Sequence, residues 1–224
     1  MAAFDEIDLR ILSTAKALFL HYGYDKTTIN DIARDAGIAK STLYTRWNKK
    51  EDLFDALIWY ESKQYAETWI ERVENDPNSG TYGGWMRHAL SAFFENEFLR
   101  VLYKNDRRII GNMLKRQGLE NLFLQRIQVF MGFFKKMQDA GAVRQDIDPL
   151  TLTYLMNSLQ YGLIHFVDII PASHTPELDE TLTMMVDMLD HYITPLDGVD
   201  NDAGKTVLRE FMTTIRQMLD TYNT

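Results

Sequence analysis

Residues 27–53 read TTINDIARDAGIAKSTLYTRWNKKEDL, and this stretch decides the fold of the N-terminal part of the chain. Thr28 and Asp31 have the spacing of a capping box, which starts a helix by satisfying its first backbone N–H groups. Gly37 follows that short helix, where a left-handed residue ends it at little cost. A short helix joined through a glycine turn to a second short helix is the helix-turn-helix arrangement.

The second short helix is predicted over residues 40–47, and its side chains are mostly polar. Only Leu43 is plainly apolar there, and residues 38–50 carry four basic side chains and no acidic one. Such a helix fits a DNA major groove, because base edges offer hydrogen-bond acceptors and phosphates offer negative charge. A solvated surface helix is the alternative interpretation. The cap, the glycine turn, the acid-free run and a second capping pair, Asn48 with Glu51, together favour DNA binding.

Three side chains of this helix are predicted to contact base edges: Lys40, Thr42 and Arg46. Arginine and lysine donate hydrogen bonds to guanine acceptors, and the threonine methyl group can touch the methyl group of thymine. Leu43 is predicted to lie in the core. Lys49 has a weaker case, because a charged residue at that position is also typical of a solvated surface.

Residues 7–58 resemble the DNA-binding domain of the tetracycline-repressor (TetR) family of transcriptional regulators. The resemblance is carried by Ile11, Ala15, Leu18, Phe19, Gly23, Tyr24, Thr27, Thr28, Asp31, Ile32, Ala33, Ala36, Gly37, Ile38, Thr42, Leu43, Tyr44, Lys50, Glu51 and Leu53. Trp47 departs from the pattern, since the family usually has phenylalanine there, but it keeps an aromatic ring. The resemblance covers about the first quarter of the chain.

This resemblance implies further site residues. Tyr44 and Lys50 would hold phosphates, and the assisting residues would be Thr28, Asn30, Ser41 and Trp47 or Asn48. It also implies a small-molecule effector site in the middle of the chain, for which the candidates are Trp85, Phe93, Phe130, Phe134, Tyr161 and His165. Each of these, taken singly, is more often an ordinary core residue than part of a binding site. The implied function is a ligand-released repressor, with an activator of the same fold as the alternative.

The whole chain of 224 residues has the pattern of an all-α protein. We predict a three-helix helix-turn-helix domain over residues 1–52 and a larger helical domain for effector binding and dimerisation over residues 53–224. Helices are predicted over residues 5–22, 49–73, 85–104, 107–117, 119–140, 149–169, 176–194 and 205–222, with a polar turn over residues 197–204. The helix over residues 49–73 would link the two domains mechanically.

The net charge of −8 is unevenly distributed along the chain. Residues 1–60 carry 8 basic and 9 acidic residues, whereas residues 61–224 carry 16 and 23. The acidic surplus therefore lies in the larger C-terminal part, which would face away from DNA.

A single short recognition helix reads only one groove segment, so specific binding predicts a homodimer on a palindromic operator. The helices over residues 149–169 and 176–194 are the best interface candidates. The first is apolar on most of its circumference, and Gly162 would permit close approach. A central helix of the monomer core is an equally weighted alternative, and the helix over residues 205–222 is a rival for the interface.

Other function classes find little support in the sequence. The chain has no cysteine, its five histidines lack metal-ligand spacing, and no phosphate loop or catalytic motif occurs. We therefore expect a non-enzyme without cofactor or metal. No apolar run is long enough to span a membrane, and a cytoplasmic location is expected. A helical protein-interaction adaptor is the alternative from another class, although the basic run over residues 38–50 argues against it.

Overall fold

The computed structural model describes residues 4–104, 106–110, 118–166 and 169–221, and every regular element within those residues is a helix. The all-α prediction is confirmed. None of the described helices combines the length and the apolar character that a membrane crossing requires.

The helices are numbered in chain order. They are α1 Glu6–Tyr22, α2 Ile29–Asp35, α3 Lys40–Tyr44, α4 Lys50–Asn75, α5 Tyr82–Glu95, α6 Glu97–Tyr103, α7 Arg107–Ile110, α8 Gly118–Asp139, α9 Pro149–Phe166, α10 Leu178–Ile193 and α11 Asn201–Thr221. A short 3-10 turn, Ala172–His174, precedes α10.

The first compact unit contains, of the described residues, 4–64, 96–104, 106–110 and 218–221. Its core joins α1, α2, α3 and the first part of α4 with α6 and α7. Phe98 of α6 lies edge-on against Phe54 of α4, with ring centroids 5.9 Å apart, and the Tyr24 N–H donates to the Ile109 carbonyl at 2.7 Å. The compact unit therefore extends beyond the predicted domain of residues 1–52, and that functional boundary stays a prediction.

A buried carboxylate lies within this unit on α4. Glu61 is only 5% exposed, and its Oε2 accepts from Lys16 Nζ of α1 and from Asn96 Nδ2, each at 2.8 Å. Asn96 is also the N-cap of α6, because its Oδ1 accepts from the Leu99 N–H at 3.0 Å. One amide side chain thus starts α6 and helps to compensate a buried charge.

We expect Asn96→Ala to lower the free energy of unfolding by about 2–3 kcal/mol, measured by urea denaturation. The substitution removes a helix cap and takes one hydrogen bond from a buried carboxylate. Asn96→Ser is the matched control, since serine can cap the helix but is too short to replace the amide donor. The loss that remains in Asn96→Ser measures the bond to Glu61, so a serine variant as stable as the wild type would show that this bond contributes nothing.

The second compact unit contains, of the described residues, 65–95, 118–166 and 169–217. Helix α5 packs against α10, and α8 packs against α9. Aromatic rings fill its centre: Trp85 lies 5.1 Å from Phe133, and Phe133 lies 4.3 Å from Phe211 of α11, between ring centroids. These rings hold α5, α8 and α11 together.

Two glycines allow the turn before α5 to touch the start of α11. The Gly80 N–H donates to Asn201 Oδ1 at 2.9 Å, and Asn201 Nδ2 donates to the Pro77 carbonyl at 2.7 Å. A Cβ on Gly204 would lie 2.1 Å from the Gly80 carbonyl oxygen, so only glycine fits there. Helix α11 starts at Asn201, after Asp200, whose side chain accepts from the Asp202 and Ala203 N–H groups, so the predicted polar turn over residues 197–204 is wrong in its second half.

Two further helix predictions need correction, and one lies partly outside the described residues. The recognition helix ends at Tyr44 rather than at residue 47, and a turn follows in which the Arg46 and Trp47 N–H groups both donate to the Leu43 carbonyl at 3.0 Å. The helix predicted over residues 85–104 is two helices, which separate at the Asn96 cap. Of the helix predicted over residues 107–117, residues 111–117 lie outside the described residues.

Candidate nucleic-acid interface and effector cavity

The helix-turn-helix contains the capping box and the glycine turn that the sequence predicted. Thr28 and Asp31 form a reciprocal capping box at the start of α2, with N–H to oxygen distances of 3.1 and 3.2 Å. Gly37 adopts φ 66°, a left-handed conformation that favours glycine. The Ile38 N–H then donates to the Ala33 carbonyl at 3.0 Å, which closes the turn before α3.

Helix α3 is fixed on one side and exposed on the other. Leu43 is completely buried and anchors the helix in the core, whereas Lys40, Ser41 and Tyr44 are exposed and Thr42 is half-buried. Lys40 Nζ lies 5.7 Å from the centroid of the Tyr44 ring. This surface carries donors and a positive charge, as a groove-binding face requires. Thr28 and Asn30 are also exposed, at the start of α2.

Arg46 lies just beyond α3 and is engaged within its own unit. Its guanidinium pairs with Asp5 at 2.9 Å and also with Asp8, the two residues that form the capping box of α1. The Asp8 backbone N–H, followed by Arg46, lowers the pKa of Asp5. The ion pairs thus tie the end of the recognition segment to the start of α1. A base contact by Arg46 stays a prediction, and it would require these ion pairs to break.

Lys50 and Trp47 also have partners within the unit. Lys50 Nζ donates to the carbonyls of Tyr24 and Thr27 at 2.8 and 2.9 Å and lies 4.0 Å from the centroid of the Tyr24 ring. Burial lowers the pKa of the Lys50 amine. Trp47 is 7% exposed and belongs to the core. Both residues therefore stabilise the domain, and their phosphate contacts stay predictions.

A cavity of about 50 Å³ lies within the second unit, between the C-terminal part of α4 and helices α5, α8, α9 and α10. Three of the six predicted effector residues line it: Trp85, Phe130 and Phe134. Phe93 is buried elsewhere, against Tyr65 and Phe94.

The other two predicted effector residues, Tyr161 and His165, also lie away from the cavity. Tyr161 is exposed, and its ring stacks on His165 at 3.8 Å between centroids. Tyr161 follows the wall residue Asn157 by one turn of α9 and lies at the margin of the lining face rather than within it, and His165 follows Tyr161 by a further turn.

Sequence analysis missed the polar residues that line the cavity. Thr153, Asn157 and Gln160 all lie on α9. Their spacing of four and three residues places them on one face, so a polar stripe along an otherwise apolar helix was the available signal. The flexible residues Met86, Met156 and Met185 complete much of the remaining wall.

Within the part of the chain that the structure describes, no group of three or more acidic or histidine side chains is arranged to hold a metal ion. Two features of the described residues could bind DNA or a small molecule: the exposed face of α3 and the cavity of the second unit.

Known proteins resemble a segment of the first unit and, at low sequence identity, most of the chain. Residues 11–57 match the family described as bacterial regulatory proteins, tetR family. An uncharacterized HTH-type transcriptional regulator of Bacillus subtilis is 23% identical over 180 residues, which cover 80% of this chain and 91% of that protein. The fatty acid metabolism regulator protein of the same organism is 20% identical over 176 residues, which cover 70% and 87%.

Solved structures show the same fold. The fatty acid degradation regulator FadR from Bacillus halodurans superposes with a TM-score of 0.64 at 14% identity, covering 84% of this chain and 95% of that one. The relatives named here are transcriptional regulators, and the matched segment is the helix-turn-helix that the geometry describes. Residues 11–57 of this chain therefore form a helix-turn-helix domain of the tetR family of bacterial regulatory proteins.

Proposed function

We propose that this regulator is a homodimeric repressor that binds a palindromic operator in the cytoplasm and is released by a small-molecule effector. The observation that carries the proposal is the exposed face of α3, where Lys40, Ser41 and Tyr44 project from a helix anchored by buried Leu43. The same face lacks acidic residues, so nothing on α3 itself would repel phosphates.

The contacts with DNA divide into two kinds. Lys40 and Thr42 contact base edges, whereas Tyr44 and Ser41 hold phosphates and fix the register. Thr28 and Asn30 add phosphate contacts from the start of α2. Arg46 acts mainly by positioning, because its ion pairs with Asp5 and Asp8 brace the recognition segment against α1.

Dimerisation through α9 and α10 is supported by their exposed apolar side chains. On α9 these are Leu150, Tyr154, Leu155, Tyr161 and Phe166, and on α10 they include Met184, Met188 and Tyr192. Exposed apolar surface of this extent is typical of a protein interface. Helix α11 is the alternative interface helix, but its Leu208, Phe211 and Met212 are buried in the core of the second unit.

The effector site is the cavity of the second unit. Its apolar and aromatic lining, with a few polar groups, is typical of small-molecule sites. A ligand that binds better to the conformation with low operator affinity must weaken DNA binding by the same factor by which DNA weakens ligand binding. The relatives named for fatty acid metabolism and degradation make an acyl compound a reasonable first effector to test.

Selection of bound fragments from genomic DNA tests the proposal. We expect the captured sequences to share an inverted repeat with half-sites one helical turn apart, about 34–36 Å, or a multiple of that distance. Affinity for this repeat should fall steeply with salt and exceed the affinity for random duplex by about 10³-fold or more. Equal affinity for the repeat and for random DNA would overturn the proposal.

Two substitutions on α3 should distinguish contacts that recognise bases from contacts that hold the phosphate backbone. We expect Lys40→Ala to cost about 1–3 kcal/mol on the selected operator and to relax the preference at one base pair of each half-site. Tyr44→Phe should weaken binding to all sequences by a similar factor, because a phosphate contact carries no sequence information.

Quantitative binding to the operator and to single-base variants measures both effects. Lys135→Ala in the second unit is the control for the lost positive charge, and it should leave affinity nearly unchanged. A uniform effect of Lys40→Ala on every sequence would remove that residue from base recognition.

A further inference from the structure

Building on the proposed effector function, we propose that the cavity binds an uncharged ligand. An acceptor atom of this ligand accepts a hydrogen bond from the indole N–H of Trp85. The inference rests on three properties of the cavity: the chemistry of its lining, the hydrogen bonding of Trp85 and its small volume.

The described lining carries no carboxylate, amine, guanidinium or imidazole. Its polar side chains are the hydroxyl and amide groups of α9 and the phenol of Tyr65. A charged ligand would lose its hydration there without gaining a counter-charge, which is costly in an apolar site. The cavity therefore selects against carboxylates and ammonium ions and favours neutral compounds.

Trp85 supplies a buried hydrogen-bond donor without an acceptor among the described residues. The side chain is 1% exposed, and its Nε1 makes no hydrogen bond to any residue that the structure describes. Buried donors in folded proteins are nearly always paired, so a missing partner calls for an explanation. A ligand acceptor, such as a carbonyl oxygen, would supply that partner.

The other polar groups of the wall are already engaged within the protein. The Thr153 hydroxyl donates to the Pro149 carbonyl at 2.8 Å, and Asn157 Nδ2 donates to the Thr153 carbonyl at 2.8 Å. Trp69 Nε1 donates to the Trp85 carbonyl at 3.2 Å. Asn157 keeps a second N–H that a ligand could also use, but the Trp85 indole is the buried wall donor that lacks an acceptor among the described residues.

The volume implies that binding rearranges the wall. A cavity of about 50 Å³ is far smaller than the usual small-molecule site of about 300–1,000 Å³. Met86, Met156 and Met185 can change rotamer more readily than the rings that face them. Moving Met156 would also break its contact with the Tyr82 hydroxyl, at 2.6 Å, so ligand entry changes the packing between α5 and α9.

Three probes of similar size test the charge preference by isothermal titration calorimetry on the full chain. Benzylacetone is a neutral ketone, hydrocinnamate is an anion, and phenylpropylammonium is a cation. We expect benzylacetone to bind at least about 10-fold more tightly than either ion. Equal or tighter binding of an ion, or no benzylacetone binding up to its solubility, would overturn the inference.

The Trp85→Phe variant tests the hydrogen bond. It should lower benzylacetone affinity by about 3–10-fold, whereas Trp59→Phe in the first unit should leave it unchanged. In the wild-type protein, one of the four indole N–H resonances should move downfield on adding benzylacetone. That measurement does not depend on the folding of the variant. No shift, together with unchanged affinity in Trp85→Phe, would refute the role of Trp85.

Operator binding measured with the same probes separates this inference from the proposed function. If benzylacetone binds as expected but leaves operator affinity unchanged, the ligand class stands and the proposed release mechanism fails. If a charged compound releases the operator through this cavity, the regulator function stands and the ligand class is wrong.

Discussion

Introducing glutamate at both Tyr154 and Met184 is expected to make the protein monomeric and to lower operator affinity by about 10²–10⁴-fold. Tyr154 on α9 is 73% exposed and Met184 on α10 is 69% exposed, so neither side chain supports the fold of the single chain. In the proposed interface both would be desolvated, and two carboxylates brought there from each subunit would repel one another. Sedimentation velocity should report the mass of one chain, 26.1 kDa, rather than twice that mass.

The loss of operator affinity follows from the geometry of recognition. A dimer makes the second half-site contact intramolecular, whereas a monomer must bind each half-site separately from solution. Binding to a single half-site should therefore change little in the variant. That comparison distinguishes a broken dimer from a damaged recognition helix.

Leu124→Glu is the matched control for this prediction. Leu124 on α8 is also an exposed apolar residue, at 54%, but lies outside the proposed interface. The control should remain dimeric and bind the operator normally. A double variant that stays dimeric would exclude α9 and α10 as the interface.

The helix-turn-helix could be predicted from the sequence because each of its devices is local. The Thr28–Asp31 box spans three residues, and Gly37 ends α2 through its own backbone conformation. Leu43 could be recognised as the anchor because it is the one apolar residue in a polar helix. Such signals need no knowledge of distant parts of the chain.

The partners of Arg46 could not be predicted in the same way. Its ion pairs reach Asp5 and Asp8, about forty residues earlier in the chain, and they exist only after α1 packs on the helix-turn-helix. The sequence gives only the chemical type of a side chain, and an arginine guanidinium can donate hydrogen bonds to a guanine or to a carboxylate. The tertiary fold decides which partner is within reach.

The cavity is a second feature that could be predicted only in part from the sequence. Aromatic content identified Trp85, Phe130 and Phe134, yet equally aromatic Phe93 packs against other rings. Periodicity tells which side chains face the interior, but an empty space depends on how several helices fit together. The start of α11 was predicted too late although its signal is local, because the Asp200 carboxylate accepts from the Asp202 and Ala203 N–H groups at 3.1 and 3.0 Å.

Gly204→Ala should be among the most destabilising conservative substitutions in the second unit, with a net loss of about 2–3 kcal/mol in the free energy of unfolding. A methyl group at this position would lie 2.1 Å from the carbonyl oxygen of Gly80 and 3.1 Å from its Cα. Both are backbone atoms, so no rotamer change relieves the overlap. The turn must move away from α11, which strains the hydrogen bonds that Asn201 makes to Gly80 and Pro77.

Gly132→Ala is the control. It makes the same chemical change but is expected to raise the free energy of unfolding rather than lower it. Gly132 lies within α8, and a Cβ there would meet no atom within 4 Å. Alanine is favoured over glycine inside a helix, so this variant should be more stable than the wild type by up to about 1 kcal/mol. Urea denaturation at one protein concentration keeps any contribution from dimerisation constant. A stability increase in both variants would mean that the turn before α5 does not rest against α11.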